Sequence, residues 1–225
     1  MNKINLLKIL FLFLLFIIPG QNLLCQNYKN KYKPRSTFYT GIYGGIGFSK
    51  LHNDNIKYQY YEGSYVDRKT ISSEYLSYGF GVFADIYVDS LKTFGLSLDV
   101  SFCQMGYKDR IYDETFRNYY IIVAPKLISW TQKNFFVAAG WYFAFLVDTA
   151  LNSNNKLINS WDHGVLVDWG FNQVSNKVLT RTGFKIYISL KNIYTKWNIN
   201  EERKGEPEGY NFTVHFYVSF VFSII

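Results

Sequence analysis

Residues 75–107 read YLSYGFGVFADIYVDSLKTFGLSLDVSFCQMGY. Leu76, Tyr78, Phe80, Val82, Ala84, Ile86 and Val88 share one parity, with Tyr75, Ser77, Gly79, Gly81, Phe83, Asp85 and Tyr87 between them. After the break at residues 89–93 the alternation resumes. Phe94, Leu96, Leu98, Val100 and Phe102 fall on one face, and Gly95, Ser97, Asp99, Ser101 and Cys103 on the other. Successive side chains of a strand point to opposite faces, so runs of this length predict two long strands joined by a short turn. The apolar parity is unbroken while the other carries charge. That pattern suits a strand with hydrocarbon outside and a polar interior, the reverse of a soluble sandwich.

Composition agrees. The 225 residues include 20 Tyr and 20 Phe, a fifth of the chain being aromatic, yet mean hydropathy is only −0.08. Strands that average an apolar and a polar face give that combination, whereas a helical membrane protein shows apolar runs of about 20 residues. The longest later candidate, residues 135–147, is too short and is interrupted by Gly140. The formal charge of +7 is spread over loops and termini. Without a concentrated Lys/Arg stripe interleaved with aromatics, nucleic-acid binding is not expected.

The start of the chain reads as an export signal over residues 1–25. Lys3 and Lys8 form a basic head, residues 9–18 an apolar core, and Pro19-Gly20 breaks the helix before Gln21-Asn22. Cleavage after Gly20 and after Cys25 both fit. Lipidation of Cys25 is disfavoured, because Asn22-Leu23-Leu24 precedes it where a small residue is needed. Loss of Cys25 leaves Cys103 without an intramolecular disulfide partner, and it reads as a small interior residue. Residues 26–36, with Lys29, Lys31, Lys33, Arg35 and Pro34, form a short basic periplasmic tail before a barrel domain over 37–225.

Within that domain the alternation predicts eight strands. The first covers residues 37–49, with Phe38, Ile42, Ile46 and Phe48 outward and four glycines allowing tight curvature. A polar, Tyr-rich loop over 51–73 follows, then the two strands already described, then a second loop over 108–116. The fourth strand turns Tyr119, Ile121, Val123, Pro125 and Leu127 outward and Asn118, Tyr120, Ile122, Ala124 and Lys126 inward. Pro125 predicts a local bulge there. After a turn at 131–134, the fifth strand presents Phe135, Val137, Ala139, Trp141, Phe143, Phe145 and Val147. An Asn-rich loop over 150–160 leads to a sixth strand over 162–172, with Asp168 inward and Val165, Val167, Trp169 and Phe171 outward. A turn at 173–177 precedes the seventh, where Phe184, Ile186, Ile188 and Leu190 face out and Arg181, Lys185 and Lys191 face in. The hydrophilic loop over 194–209 precedes the eighth, with Asn211, Thr213, His215, Tyr217 and Ser219 inward and even positions 212–224 outward. Short turns alternate with long loops, as in outer-membrane barrels with turns in the periplasm. The expected fold is all-β: an eight-stranded antiparallel up-and-down transmembrane β-barrel.

The stretches Gly41-Ile-Tyr-Gly-Gly-Ile-Gly-Phe-Ser49, Tyr78-Gly-Phe-Gly-Val-Phe-Ala-Asp85, Leu96-Ser-Leu-Asp-Val-Ser-Phe-Cys-Gln-Met-Gly-Tyr-Lys108, Tyr120-Ile-Ile-Val-Ala-Pro125 and Phe135-Phe-Val-Ala-Ala-Gly140 carry a resemblance. In order and spacing they resemble the Bacteroidota outer-membrane β-barrel family labelled porin-like or PorT-like, of OmpA type. The resemblance implies an eight-stranded outer-membrane barrel. Most members lack an assigned activity, and one branch takes part in protein secretion across the outer membrane. Such barrels commonly end in an aromatic residue, whereas this chain ends in Ile225.

Inward charges are the candidate site. Asp85, Asp99 and Asp168 face Lys126, Arg181 and Lys185 inside one narrow barrel, where unpaired charges are strongly disfavoured. They predict a lumen polar network that packs as a plug. Tyr58, Tyr60, Tyr61 and Tyr65 in the first loop are candidates for binding a surface partner, since loops on a rigid scaffold carry recognition. A hydrolase would need a Ser–His pair with an acidic orienter. Ser160, Asp162 and His163 are adjacent, but neighbours on a strand point to opposite faces, so no enzyme is expected. No glycine-rich phosphate loop and no Cys/His metal spacing is present, so neither cofactor nor metal is expected. Expected partners are outer-membrane lipid, the barrel-insertion machinery and a surface or secretion-system protein. The leading expectation is a non-enzymatic barrel with a plugged lumen. A narrow pore for small solutes, a secretion accessory subunit and a lipid-modifying enzyme are the alternatives.

Overall fold

The computed structural model describes residues 37–52, 57–59, 65–67, 72–88, 94–109, 114–130, 134–149, 158–175, 178–193 and 209–224. The expected export signal and basic tail lie outside them. Eleven strands follow in chain order: β1 (Phe38–His52), β2 (Lys57–Gln59), β3 (Tyr65–Asp67), β4 (Ser72–Ser73), β5 (Tyr75–Tyr87), β6 (Gly95–Asp109), β7 (Glu114–Trp130), β8 (Phe135–Thr149), β9 (Trp161–Ser175), β10 (Val178–Ser189) and β11 (Tyr210–Ile224).

Eight of them make the wall. Each long strand pairs antiparallel with its neighbours in the order β6-β5-β1-β11-β10-β9-β8-β7, and β6–β7 pairing closes the ring. Closure leaves no unpaired edge among the wall strands, the condition for exposing such a sheet to hydrocarbon. It is a closed eight-stranded antiparallel β-barrel.

The alternation that predicts the strands also sorts their faces. Ile42, Ile46 and Phe48 on β1, the even residues of β5 from Leu76 to Phe80, and the even residues of β11 from Phe216 to Phe222 are exposed outside. Inward neighbours such as Tyr43, Phe83, Asp99, Tyr142, Lys185 and Tyr217 are buried. An outer surface this apolar is stable against lipid and unstable against water.

Four expectations are corrected. The first loop is not without structure: β2 and β3 pair within it, from Lys57 opposite Asp67 to Gln59 opposite Tyr65. The second is shorter than expected, because β6 runs on to Asp109 and β7 starts at Glu114, with β4 pairing to the extended end of β6. The sixth strand continues through Gln173 to Ser175, where a turn was expected. The bulge is not at Pro125. The β7–β8 register shifts instead between Tyr119 and Tyr120, and is the same on either side of Pro125. Gly140 explains this, since any Cβ there would collide with the Pro125 carbonyl oxygen. Its absence lets β8 lie close against a residue that has no N–H to offer.

Candidate functional site

Each inward charge is placed by strand parity, and the small barrel brings side chains from opposite walls into contact. Asp99 on β6 lies at the centre. Its Oδ1 accepts a hydrogen bond from the Tyr43 hydroxyl at 2.7 Å. Its Oδ2 accepts from Lys185 Nζ at 2.5 Å and Lys126 Nζ at 3.2 Å. Lys126 also donates to Asp168 Oδ2 at 2.8 Å, and the other Asp168 oxygen accepts from the Tyr217 hydroxyl at 2.7 Å. Closer to the turn end, Arg181 donates through one terminal nitrogen to Asp85 Oδ2 at 2.9 Å and through Nε to Asn172 Oδ1 at 3.0 Å. Three carboxylates face three cations, so the formal charge of the group is zero.

In the ring order, β10 and β6 are four strands apart, directly opposite in an eight-stranded barrel. The Lys185–Asp99 pair therefore spans the lumen. All six residues are at most 5% exposed.

Aromatic rings complete the packing. The Lys185 ammonium lies 3.3 Å from the centroid of the Tyr43 ring and 4.9 Å from that of Tyr217. The Arg181 guanidinium sits against Phe136 at 4.4 Å and Phe83 at 4.9 Å. Desolvated cations gain most from such ring faces. Small residues provide the room: Lys126 is flanked in register by Ser97 and Gly140, and Asp168 by Ala138. Above this level Ser77 donates its hydroxyl proton to the Gln104 carbonyl and accepts from His215 Nε2 at 2.6 Å. Cys103, Met105, Tyr120, Ile122, Tyr142, Leu166 and Tyr187 form a second apolar layer.

The structure thus brings all six predicted lumen residues inside the barrel, four of them in one network and Arg181 and Asp85 as a separate pair nearer the turn end. Lys191, also expected inward, is elsewhere. β10 ends at Ser189, and the Lys191 ammonium lies 3.4 Å from the centroid of the outward Trp161 ring. Of the loop tyrosines, Tyr58 and Tyr65 have backbones in the β2–β3 hairpin, whereas Tyr60 and Tyr61 lie outside the described residues. Ser160, Asp162 and His163 diverge: His163 stacks between Trp141 and Trp161 on the outside, and Asp162 is buried inside. Among the described residues no group of three or more His, Cys, Asp or Glu side chains is placed to hold a metal ion.

Sequence reasoning left out Tyr43, Tyr217, Asn172, Phe83 and Phe136 as partners of the charges, and left out Asp162 as a lumen residue. Parity marks each of them as inward, and Asp162 shares its parity with Asp168. Which wall each would reach depends on barrel diameter and strand stagger, which parity does not encode.

No family model matches the chain, and no curated protein sequence is similar to it. Solved structures are similar in shape. The outer membrane protein OprG from Pseudomonas aeruginosa aligns over 86% of this chain and 100% of its own, at 12% identity and a TM-score of 0.44. The outer membrane protein AlkL, solved in DMPC bilayers, aligns over 89% and 98%, at 11% identity and 0.47. Ail, the attachment invasion locus protein of Yersinia pestis, aligns over 82% and 99%, at 9% and 0.37. At these identities and scores the likeness adds nothing to what the strand order already shows.

Proposed function

We propose that the chain is a non-enzymatic outer-membrane barrel whose lumen is closed by its own charge network and whose loops carry surface interaction. The Lys185–Asp99 pair across the barrel diameter is the observation that supports closure. It is reinforced by Lys126 bridging Asp99 and Asp168 and by tyrosine rings packed on the Lys185 ammonium. An apolar outer face on a closed antiparallel ring supports placement in an outer membrane. With the lumen filled, recognition falls to the loops, where the β2–β3 hairpin holds Tyr58 and Tyr65 in a paired segment.

A narrow porin is the competing reading, and a secretion accessory role rests on the sequence resemblance alone. Proteoliposome swelling in small neutral sugars separates the first two. Vesicles carrying the protein should swell no faster than protein-free vesicles. Swelling that falls with sugar size would replace the sealed barrel by a solute pore.

A further inference from the structure

A second buried polar group sits nearer the loop end of the lumen. Asp162 is 2% exposed, yet every hydrogen bond it accepts comes from a neutral group, three side chains and the His163 backbone N–H. Ser189 Oγ donates at 2.6 Å, Asn211 Nδ2 at 3.0 Å and the Tyr142 hydroxyl at 3.4 Å. Among the described residues no Lys, Arg or His nitrogen forms an ion pair with it. Lys191, the nearby cation, has its ammonium over the Trp161 ring instead. A buried carboxylate without a counter-charge is strongly disfavoured.

The groups around it are short of partners as well. The Tyr120 hydroxyl has Asp162, Asn211 and Asn118 as its polar neighbours. Its oxygen lies within reach of both amides but finds neither in good hydrogen-bond geometry, and both ends of the Asn118 amide and the Asn211 Oδ1 likewise lack a well-formed bond. Asn118 and Tyr120 are wholly buried and Asn211 is 1% exposed. Because Asn211 spends its NH₂ on Asp162, its unpartnered atom is the carbonyl oxygen, an acceptor. Unpaired buried polar atoms are costly, so several gathered near one carboxylate mark a place built for a further occupant.

We infer that Asp162, Asn118, Asn211 and Tyr120 form a binding site for a monovalent alkali cation, with sodium the ion to test. The donors are all hard oxygens, which suit hard cations. One carboxylate among neutral oxygens balances a single positive charge, whereas a divalent ion would leave net charge buried. This site is separate from the Asp99 network and does not depend on whether that network seals the lumen.

The test is the urea unfolding midpoint of the full barrel in detergent, titrated with sodium chloride against choline chloride at constant ionic strength. Sodium should raise the midpoint and saturate, because an ion that binds only the folded state stabilises it by mass action. Asp162→Asn should abolish the difference between the two salts. Asn118→Ala, which leaves the hydrogen bonds to Asp162 in place, should reduce it and decides the matter if Asp162→Asn does not fold. Identical midpoints in sodium and choline for the unaltered protein would overturn the site. So would a sodium response retained in the variants. A response to calcium but not to sodium would overturn the monovalent assignment.

Discussion

At the scale of single residues, Asp99 is the position on which most of the lumen depends. It satisfies two ammonium groups and one phenol at once. Lys126 has Asp168 as a second carboxylate, but Lys185 pairs with Asp99 alone among the described residues. Asp99→Ala should therefore cost about 3–5 kcal/mol in urea unfolding, since it leaves a desolvated ammonium uncompensated. Asp99→Ala combined with Lys185→Met should recover much of that loss, because the stranded charge goes with its partner. A double variant as unstable as the single one would show that the Lys185 charge is not what makes Asp99 necessary. The six charges were legible in the sequence, as inward residues of balanced sign in a narrow barrel. Their aromatic bedding was not. Tyr43 and Tyr217 alternate like any interior residue, and nothing local says that both rings close on one ammonium.

At the scale of the element, curvature is concentrated where glycines face inward. A Cβ at Gly47 on β1 would collide with the backbone carbonyl of Val214 on β11, whereas one at Gly44, on the outer face of the same strand, meets nothing within 4 Å. Gly47→Ala should thus destabilise the barrel by about 1–3 kcal/mol through forced strand separation. Gly44→Ala should be neutral within about 0.5 kcal/mol. Paired urea curves for the two variants check this, and equal effects would contradict the assignment of curvature to the inner face. Strand number and facing were readable from period-two alternation because the outward parity is mostly apolar while the inward parity carries the charges. Strand ends were read less well. The ends of β6, β7 and β9 carry polar residues on both parities, as at Lys108-Asp109, Glu114-Thr115 and Asn172-Gln173, and there alternation loses its contrast. Pro125 misled for a related reason: the β7–β8 ladder skips Ala124 and Pro125 and resumes at Lys126–Gly140 in unchanged register, which is visible only once the pairing is known.

At the scale of the whole molecule, the barrel is a wall of apolar residues around an interior in which apolar clusters alternate with polar groups, two of them carrying buried carboxylates. The lower group is charge-balanced and crosses the full diameter. The upper one, around Asp162, carries a single unbalanced carboxylate among the described residues. An interior of this width is just filled by side chains, so removing the Asp99 carboxylate breaks the contact that crosses it. Single-channel recording in a planar bilayer, before and after Asp99→Ala, tests this most directly. The unaltered barrel should give no steady current steps, and the variant should show brief openings at the same voltage. Stable ohmic conductance in the unaltered protein would contradict the sealed lumen and make Asp99, Lys126 and Lys185 the lining of a working pore.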